Sequence, residues 1–265
     1  MGSKPPGPGG FERMSGDLIS VRILAAFGTS RDRDLLRRAA VLSRILIDVI
    51  DAESVSAARN LLLADEIDVV FIEASAPDLI PFMAAARSAP RPPFVILVAS
   101  AAWGAKELAD AAADGLVAKP AGIEQARVLI DRCIRLRLPS RVLVVDDSAT
   151  QRRIVRKLLT GIRFPLEIAE AQDGIEALRQ LAAGKFDFVF LDYNMPGLNG
   201  LETLSEIKRL HPLVQVVLMT SVEDDAIARR ARTAGAAAFL RKPFYPADID
   251  AVLHGIYGLR ASAKA

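Results

Sequence analysis

Short apolar runs alternate with amphipathic stretches along the chain, and the alternation has the rhythm of repeated βα units. In the C-terminal half the apolar runs predict strands at Arg141–Val145, Leu166–Ile168, Phe186–Leu191, Val214–Met219 and Ala238–Leu240. The segments between them carry helical spacing: in "TQRRIVRKLL", Ile154, Leu158 and Leu159 stand at i, i+4 and i+5. Ser148 or Thr150 is placed to cap that helix. Asp173 is placed to cap "GIEALRQLAA", which Gly184 then stops. The N-terminal half repeats the pattern, with strands at Arg22–Ala26, Leu46–Ile50, Asp68–Ile72, Phe94–Val98 and Gly115–Val117. Strands that read as nearly continuous apolar runs, separated by helices, belong to a parallel sheet covered on both faces.

The two halves also match residue by residue. "DVVFIE" (Asp68 to Glu73) corresponds to "DFVFLD" (Asp187 to Asp192) at an offset of 119 (192 − 73). Pro77 and Pro196, and Arg22 and Arg141, keep the same offset. Lys119-Pro120 corresponds to Lys242-Pro243, where loop insertions have stretched the offset to 123 (242 − 119). A self-similarity of this length describes two copies of one unit. The expected architecture is α/β, with two doubly wound five-stranded parallel sheets, one per domain. The domains run over 19–138 and 139–265, after a leader or tag over 1–18 that contains "MGSKPPGPGG". The short "LPSR" connection (Leu138 to Arg141) implies packed neighbours rather than domains on a loose tether.

Composition narrows the function classes. The 265 residues are 51% apolar and 25% charged, a globular balance that excludes disorder. A formal net charge of +2 gives no polyelectrolyte bias, so neither nucleic-acid binding nor membrane insertion is expected. No apolar run approaches the ~18 residues of a membrane span. Cys133 is the single cysteine, which excludes an internal disulfide and is consistent with a reduced, cytoplasmic compartment. It reads as a small buried helix residue. His211 and His254 are assigned surface or capping roles, and Trp103 a cover over the first unit's crevice or an interface.

In an open parallel sheet, function gathers at the carboxyl ends of the strands. In the second unit Asp146 and Asp147 end the first strand, Asp192 the third, Thr220 the fourth and Lys242 the fifth. Three converging carboxylates repel one another unless a cation neutralises them, and hard oxygen ligands with room for water suit Mg²⁺. Such a site supports attack by a carboxylate on a phosphoryl group, giving an acyl phosphate, with the lysine binding phosphoryl oxygens.

These residues stand in "VDDSATQRRIVRKLL", "DYNMPGLNGLETL", "TS" and "KPF", and over Arg141 to about Tyr257 the chain resembles the receiver domains of two-component response regulators. The resemblance implies a flavodoxin-like, CheY-like receiver fold and a phosphoacceptor rather than an enzyme. Asp192 would take a phosphoryl group from a histidine kinase or a histidine phosphotransfer protein. Asp146, Asp147, Asp192 and the backbone carbonyl of Asn194 would hold Mg²⁺, while Thr220 and Lys242 would bind the phosphoryl. Phe239 would occupy the aromatic switch position, and output would pass to a downstream protein through the face of the fourth and fifth helices and last strand. Chemotaxis signalling is the implied setting.

The first unit keeps the frame and loses the chemistry. Phe27 and Gly28 replace the acid pair, Ala99 replaces the threonine, Glu73 stands for Asp192, and Lys119 is retained. It reads as a pseudo-receiver serving homodimerisation, support of its neighbour or partner docking. Within it Glu73 is expected to pair with Lys119, either as an imitation of a phosphorylated site or as a decayed one. Rival readings are the regulatory part of a longer enzyme such as a diguanylate cyclase, and a phosphorylation-independent scaffold. An aspartyl-phosphate hydrolase is disfavoured, because that class expects an acid where Asn194 stands.

Overall fold

The structure, a computed structural model, describes residues 20–43, 45–100, 113–222 and 225–259. The expected leader over 1–18 and Trp103 lie outside the described residues. In the first unit the elements are β1 (Ser20–Ala26), α1 (Ser30–Val41), β2 (Leu46–Ala52), α2 (Val55–Ala64), β3 (Val69–Glu73), α3 (Leu79–Ser88), β4 (Phe94–Ala99), β5 (Gly115–Ala118) and α4 (Ile123–Ile134). The second unit contains β6 (Ser140–Val145), α5 (Ala149–Thr160), β7 (Leu166–Ala171), α6 (Gly174–Ala183), β8 (Phe188–Asp192), α7 (Gly200–Leu210), β9 (Gln215–Thr220), α8 (Asp225–Thr233), β10 (Ala238–Arg241) and α9 (Pro246–Ile256). Every predicted strand is present, most of them longer by one to three residues, because regular pairing runs into the polar positions at their ends.

Both sheets are parallel and have five strands, in the orders β2-β1-β3-β4-β5 and β10-β9-β8-β6-β7. Each therefore switches direction between its first and third strands, which opens a crevice at their carboxyl ends. Local sequence explains the helix starts. Ser148 accepts the Gln151 N–H ahead of α5, and Asp173 accepts the Glu176 N–H ahead of α6. Asn199 and Glu202 form a reciprocal capping box at α7.

The repeat extends to contacts. The Asp68 carboxylate accepts the Arg22 backbone N–H at 3.0 Å, and Asp187 accepts that of Arg141 at 2.8 Å. Both bonds tie the start of a first strand to the residue preceding the third.

One face of each sheet has its own apolar layer, around Leu24, Val70 and Leu97 in the first unit and Leu143, Val189 and Leu218 in the second. The opposite layers merge into a single core that runs from Phe27 and Ile130 to Phe188 and Leu259. At the seam Phe164 stacks on Tyr257, with centroids 5.6 Å apart, and meets Phe94 of the first unit at 5.7 Å. Arg163 lies over the Phe94 ring, pairs with Asp114 at 2.6 Å and donates to the Pro92 and Pro93 carbonyls. Leu259, just past α9, accepts the Leu116 N–H at 2.6 Å, so the second unit covers part of the outer edge of β5. Gly115 permits that approach, since a Cβ there would lie 2.9 Å from the Leu259 carbonyl oxygen.

His254 departs from its expected surface or capping role. It shares the inward face of α9 with Ile249 and Leu253 and is 3% exposed. Its Nδ1 lies 2.6 Å from the Asp250 carbonyl, and its ring stands edge-on to Phe164 at 5.3 Å. Cys133 is buried in α4 as expected, and burial pushes its thiol pKa well up.

Candidate functional site

At the carboxyl ends of β6 and β8, Asp146, Asp147 and Asp192 bring carboxylate oxygens within 4.8 Å of one another. Asp146 and Asp192 are buried and Asp147 is exposed, so the cluster opens to solvent on one side. Lys242, following β10, bridges the two buried acids, with Nζ 2.7 Å from Asp146 Oδ2 and 2.8 Å from Asp192 Oδ1. Each acid directs its other oxygen to a backbone donor: the Ser148 N–H for Asp146 at 2.9 Å, the Asn194 N–H for Asp192 at 3.0 Å. The Lys242–Pro243 peptide is cis.

Burial raises the Asp192 pKa above the ordinary carboxylate value; Lys242 pulls it down and Asp146 adds to the rise. Burial would lower the Lys242 pKa, but its hydrogen bonds to Asp146 and Asp192 prevail and hold it above its usual value. Three carboxyl groups against one ammonium leave an excess of acidic oxygens at the mouth of the crevice. That excess, carried by hard oxygens beside an open approach, fits a small divalent cation such as Mg²⁺.

Thr220 ends β9, fully buried, and its Oγ1 accepts the Val222 N–H at 3.0 Å. Phe239, on β10, is half-buried against the apolar layer that holds Leu218 and Ile227. Asn194 is exposed beside Asp192. Gly200 sets the spacing behind the acid loop: a Cβ there would come within 2.4 Å of the Asp192 carbonyl oxygen and 2.7 Å of Tyr193 Cα. Helix α7 can begin against the Asp192 backbone only because residue 200 has no side chain.

The first unit presents a different constellation. Phe27 turns into the shared core, Gly28 is exposed, and Ala99 is half-buried at the end of β4. Lys119 lies 3.6 Å from Glu73, but its nearer partner is Asp32 at 2.6 Å. The hydrogen bond to Asp32 outweighs burial and holds the Lys119 pKa above its usual value. An acid in the first turn of α1 thus supplies charge where the first strand lacks it. The sequence reading missed Asp32, because an acid there looks like ordinary helix N-terminal chemistry.

A second missed feature is an arginine clamp present in both units. In the second, Arg152 donates to the Asp146 carbonyl and pairs with Glu170, which Arg156 also holds. In the first, Arg33 donates to the Phe27 carbonyl and pairs with Asp51, which Arg37 also holds. All four positions obey the 119-residue offset, so the repeat itself carries the signal in its charged residues.

Comparison with known proteins agrees with this geometry. Residues 142–254 match the response regulator receiver domain. The cyclic di-GMP phosphodiesterase response regulator RpfG of Xanthomonas campestris is 30% identical over 151 residues, 56% of this chain and 40% of that protein. This chain therefore spans well under half of RpfG. Chemotaxis protein CheY-3 of Vibrio cholerae is 37% identical over 119 residues, 44% of this chain and 91% of that protein. The solved structure of a putative two-component system response regulator/GGDEF domain protein aligns over 89% of this chain and 99% of its own, with a TM-score of 0.50. At 22% identity, that last likeness speaks for the fold alone. Among the described residues, no helix is long and apolar enough to cross a membrane. The acid crevice at the sheet's switch point and the near-complete coverage of a chemotaxis receiver have one meaning: the chain belongs to the response regulator receiver family.

Proposed function

We propose that the second unit is the phosphoacceptor of a two-component phosphorelay and that Asp192 carries the phosphoryl group. The observation that carries this reading is Lys242 bridging Asp146 and Asp192 beside the open Asp147. An Asp192 oxygen attacks the phosphorus of a phosphohistidine on a histidine kinase or phosphotransfer protein. The N–P bond breaks, its electron pair stays on the imidazole, and an acyl phosphate forms. Asp146, Asp147, Asp192 and the Asn194 carbonyl would hold Mg²⁺, which when bound neutralises charge on the acids and the incoming phosphoryl oxygens. Lys242 exchanges its bond to Asp192 for the phosphoryl oxygens, and Thr220 gives up the Val222 N–H to reach them.

The modification brings strong acceptors and nearly two negative charges to a buried strand end. Movement of Thr220 makes room for Phe239 to turn inward, which changes the surface formed by α8, β10 and α9 for a downstream protein. The first unit, with Phe27 and Gly28 in place of the acid pair and Ala99 in place of the threonine, acts as a pseudo-receiver that supports dimerisation or regulation. The setting is cytoplasmic.

Acetyl phosphate with Mg²⁺ should label the chain once. Asp192→Asn should abolish the label, and labelling that survives it, on Glu73 above all, would refute the assignment. A second reading is favoured by the likeness to RpfG, whose name includes a phosphodiesterase: the tandem units regulate an enzyme within a longer protein. The full reading frame decides between the two.

A further inference from the structure

The arginine clamp occurs twice, but only one copy has ligand-bearing residues to hold. Arg152 Nη1 donates to the Asp146 carbonyl at 2.8 Å and approaches the Asp147 carbonyl at 3.4 Å. Its Nε pairs with Glu170 Oε2 at 3.1 Å. Arg156 takes the other Glu170 oxygen at 3.0 Å, and Gln180 donates to the Glu170 backbone carbonyl at 2.8 Å. The guanidinium is therefore fixed on one side to β7 and on the other to the backbone of the acid pair. A planar fork can hold both sides at once, which a lysine ammonium cannot do with the same rigidity.

Such fixing matters because the two acids have opposite environments. Asp146 is anchored through its side chain by Ser148 and Lys242, whereas Asp147 is exposed and its carboxylate has no hydrogen-bond partner among the described residues. The direction in which Asp147 points then depends on its own backbone, and Arg152 grips that backbone from behind. In the first unit Arg33, Asp51 and Arg37 make the equivalent contacts around the Phe27 carbonyl, where no acid pair follows the strand. The general role of the clamp is to hold the turn from the first strand to the first helix. Its added role in the second unit is open to separate measurement.

We propose that Arg152, braced by Glu170, is a positioning residue that preorganises Asp146 and Asp147 for a divalent cation. This rests on the reading of the acid crevice as a Mg²⁺ site. Partners behind metal ligands commonly govern affinity by 10–100-fold.

The test is calorimetric titration of Mg²⁺ into the full chain, for the wild-type protein and Arg152→Gln, Glu170→Gln, Arg152→Lys and Arg33→Gln. Arg152→Gln and Glu170→Gln should raise the Mg²⁺ Kd by about tenfold, with Arg152→Lys recovering part of the loss. Arg33→Gln, which breaks the same clamp in the other unit, should lower the unfolding midpoint and leave the Kd within about twofold of wild type. Labelling of Arg152→Gln by acetyl phosphate should return toward the wild-type rate as Mg²⁺ is raised. A wild-type Kd in folded Arg152→Gln and Glu170→Gln would overturn the inference alone, as would an equal loss in Arg33→Gln. No Mg²⁺ uptake by the wild-type protein, or uptake undiminished in Asp147→Asn, would overturn the reading of the site itself.

Discussion

The seam between the units can be tested by a double-mutant cycle on Phe94 and Phe164. Both rings are buried, 1% and 5% exposed, and their centroids lie 5.7 Å apart with a 42° tilt. Substituting leucine for each keeps an apolar side chain in place, so each single variant should lose about 1–3 kcal/mol of stability. Phe94 also loses the Arg137 and Arg163 guanidinium groups over its face, and Phe164 loses its stack on Tyr257. Those contacts are absent from the corresponding single variant and the double variant alike, so they cancel from the cycle. What remains is the pair itself, about 0.5–1.5 kcal/mol for a tilted aromatic contact. Equilibrium urea unfolding followed by far-ultraviolet circular dichroism supplies the four free energies. A cycle that closes to within about 0.3 kcal/mol, as independent sites do, would mean that the rings do not meet in solution.

Two further outcomes follow from single contacts. Arg156 lowers the Glu170 pKa, against burial and with help from Arg152, below its ordinary value of 4.5. Glu170 therefore contributes stability in full above that pH, and the contribution fades as pH falls through the depressed value. The stability difference between wild type and Glu170→Gln should be constant near neutrality and vanish in acid; a difference that grows on acidification would contradict the ion pairs. Gly200→Ala forces a Cβ against the Asp192 carbonyl and Tyr193 Cα, so it should cost about 1–3 kcal/mol by overpacking. It should also slow labelling by acetyl phosphate, and an unchanged rate would show that the acid loop does not depend on this approach.

Much of the architecture was legible because it is written in local periodicity. Apolar runs marked all ten strands, and Ser148, Asp173 and Gly184 marked helix ends through chemistry confined to a few residues. The grouping of Asp146, Asp147, Asp192, Thr220 and Lys242 followed from strand ends, which a parallel sheet brings together whatever the loops do. What escaped depended on partners that no local rule selects. Asp32 occupies a helix turn where acids are common, and only the fold reveals Lys119 beside it. His254 was read as a polar residue in a terminal helix. Its burial comes from the docking of α9 near Phe164, and a single helix's pattern does not encode the neighbour that closes over it.

The Leu259 bond to the edge of β5 has a consequence for synthesis. Ribosomes build the chain from its N-terminus, so Phe94 and the β5 edge emerge well before the residues that cover them. Leu259 follows roughly 140 residues later, a delay on the order of ten seconds at ordinary translation rates. During that interval the nascent first unit carries an uncovered aromatic and part of a strand edge without its cover, both of which invite association with other chains. The last residues of the second unit to be translated then act as a built-in cover for the first. A mutation that weakens Leu259 docking would accordingly be felt first as poor yield of soluble protein during expression, before any change in signalling could be measured.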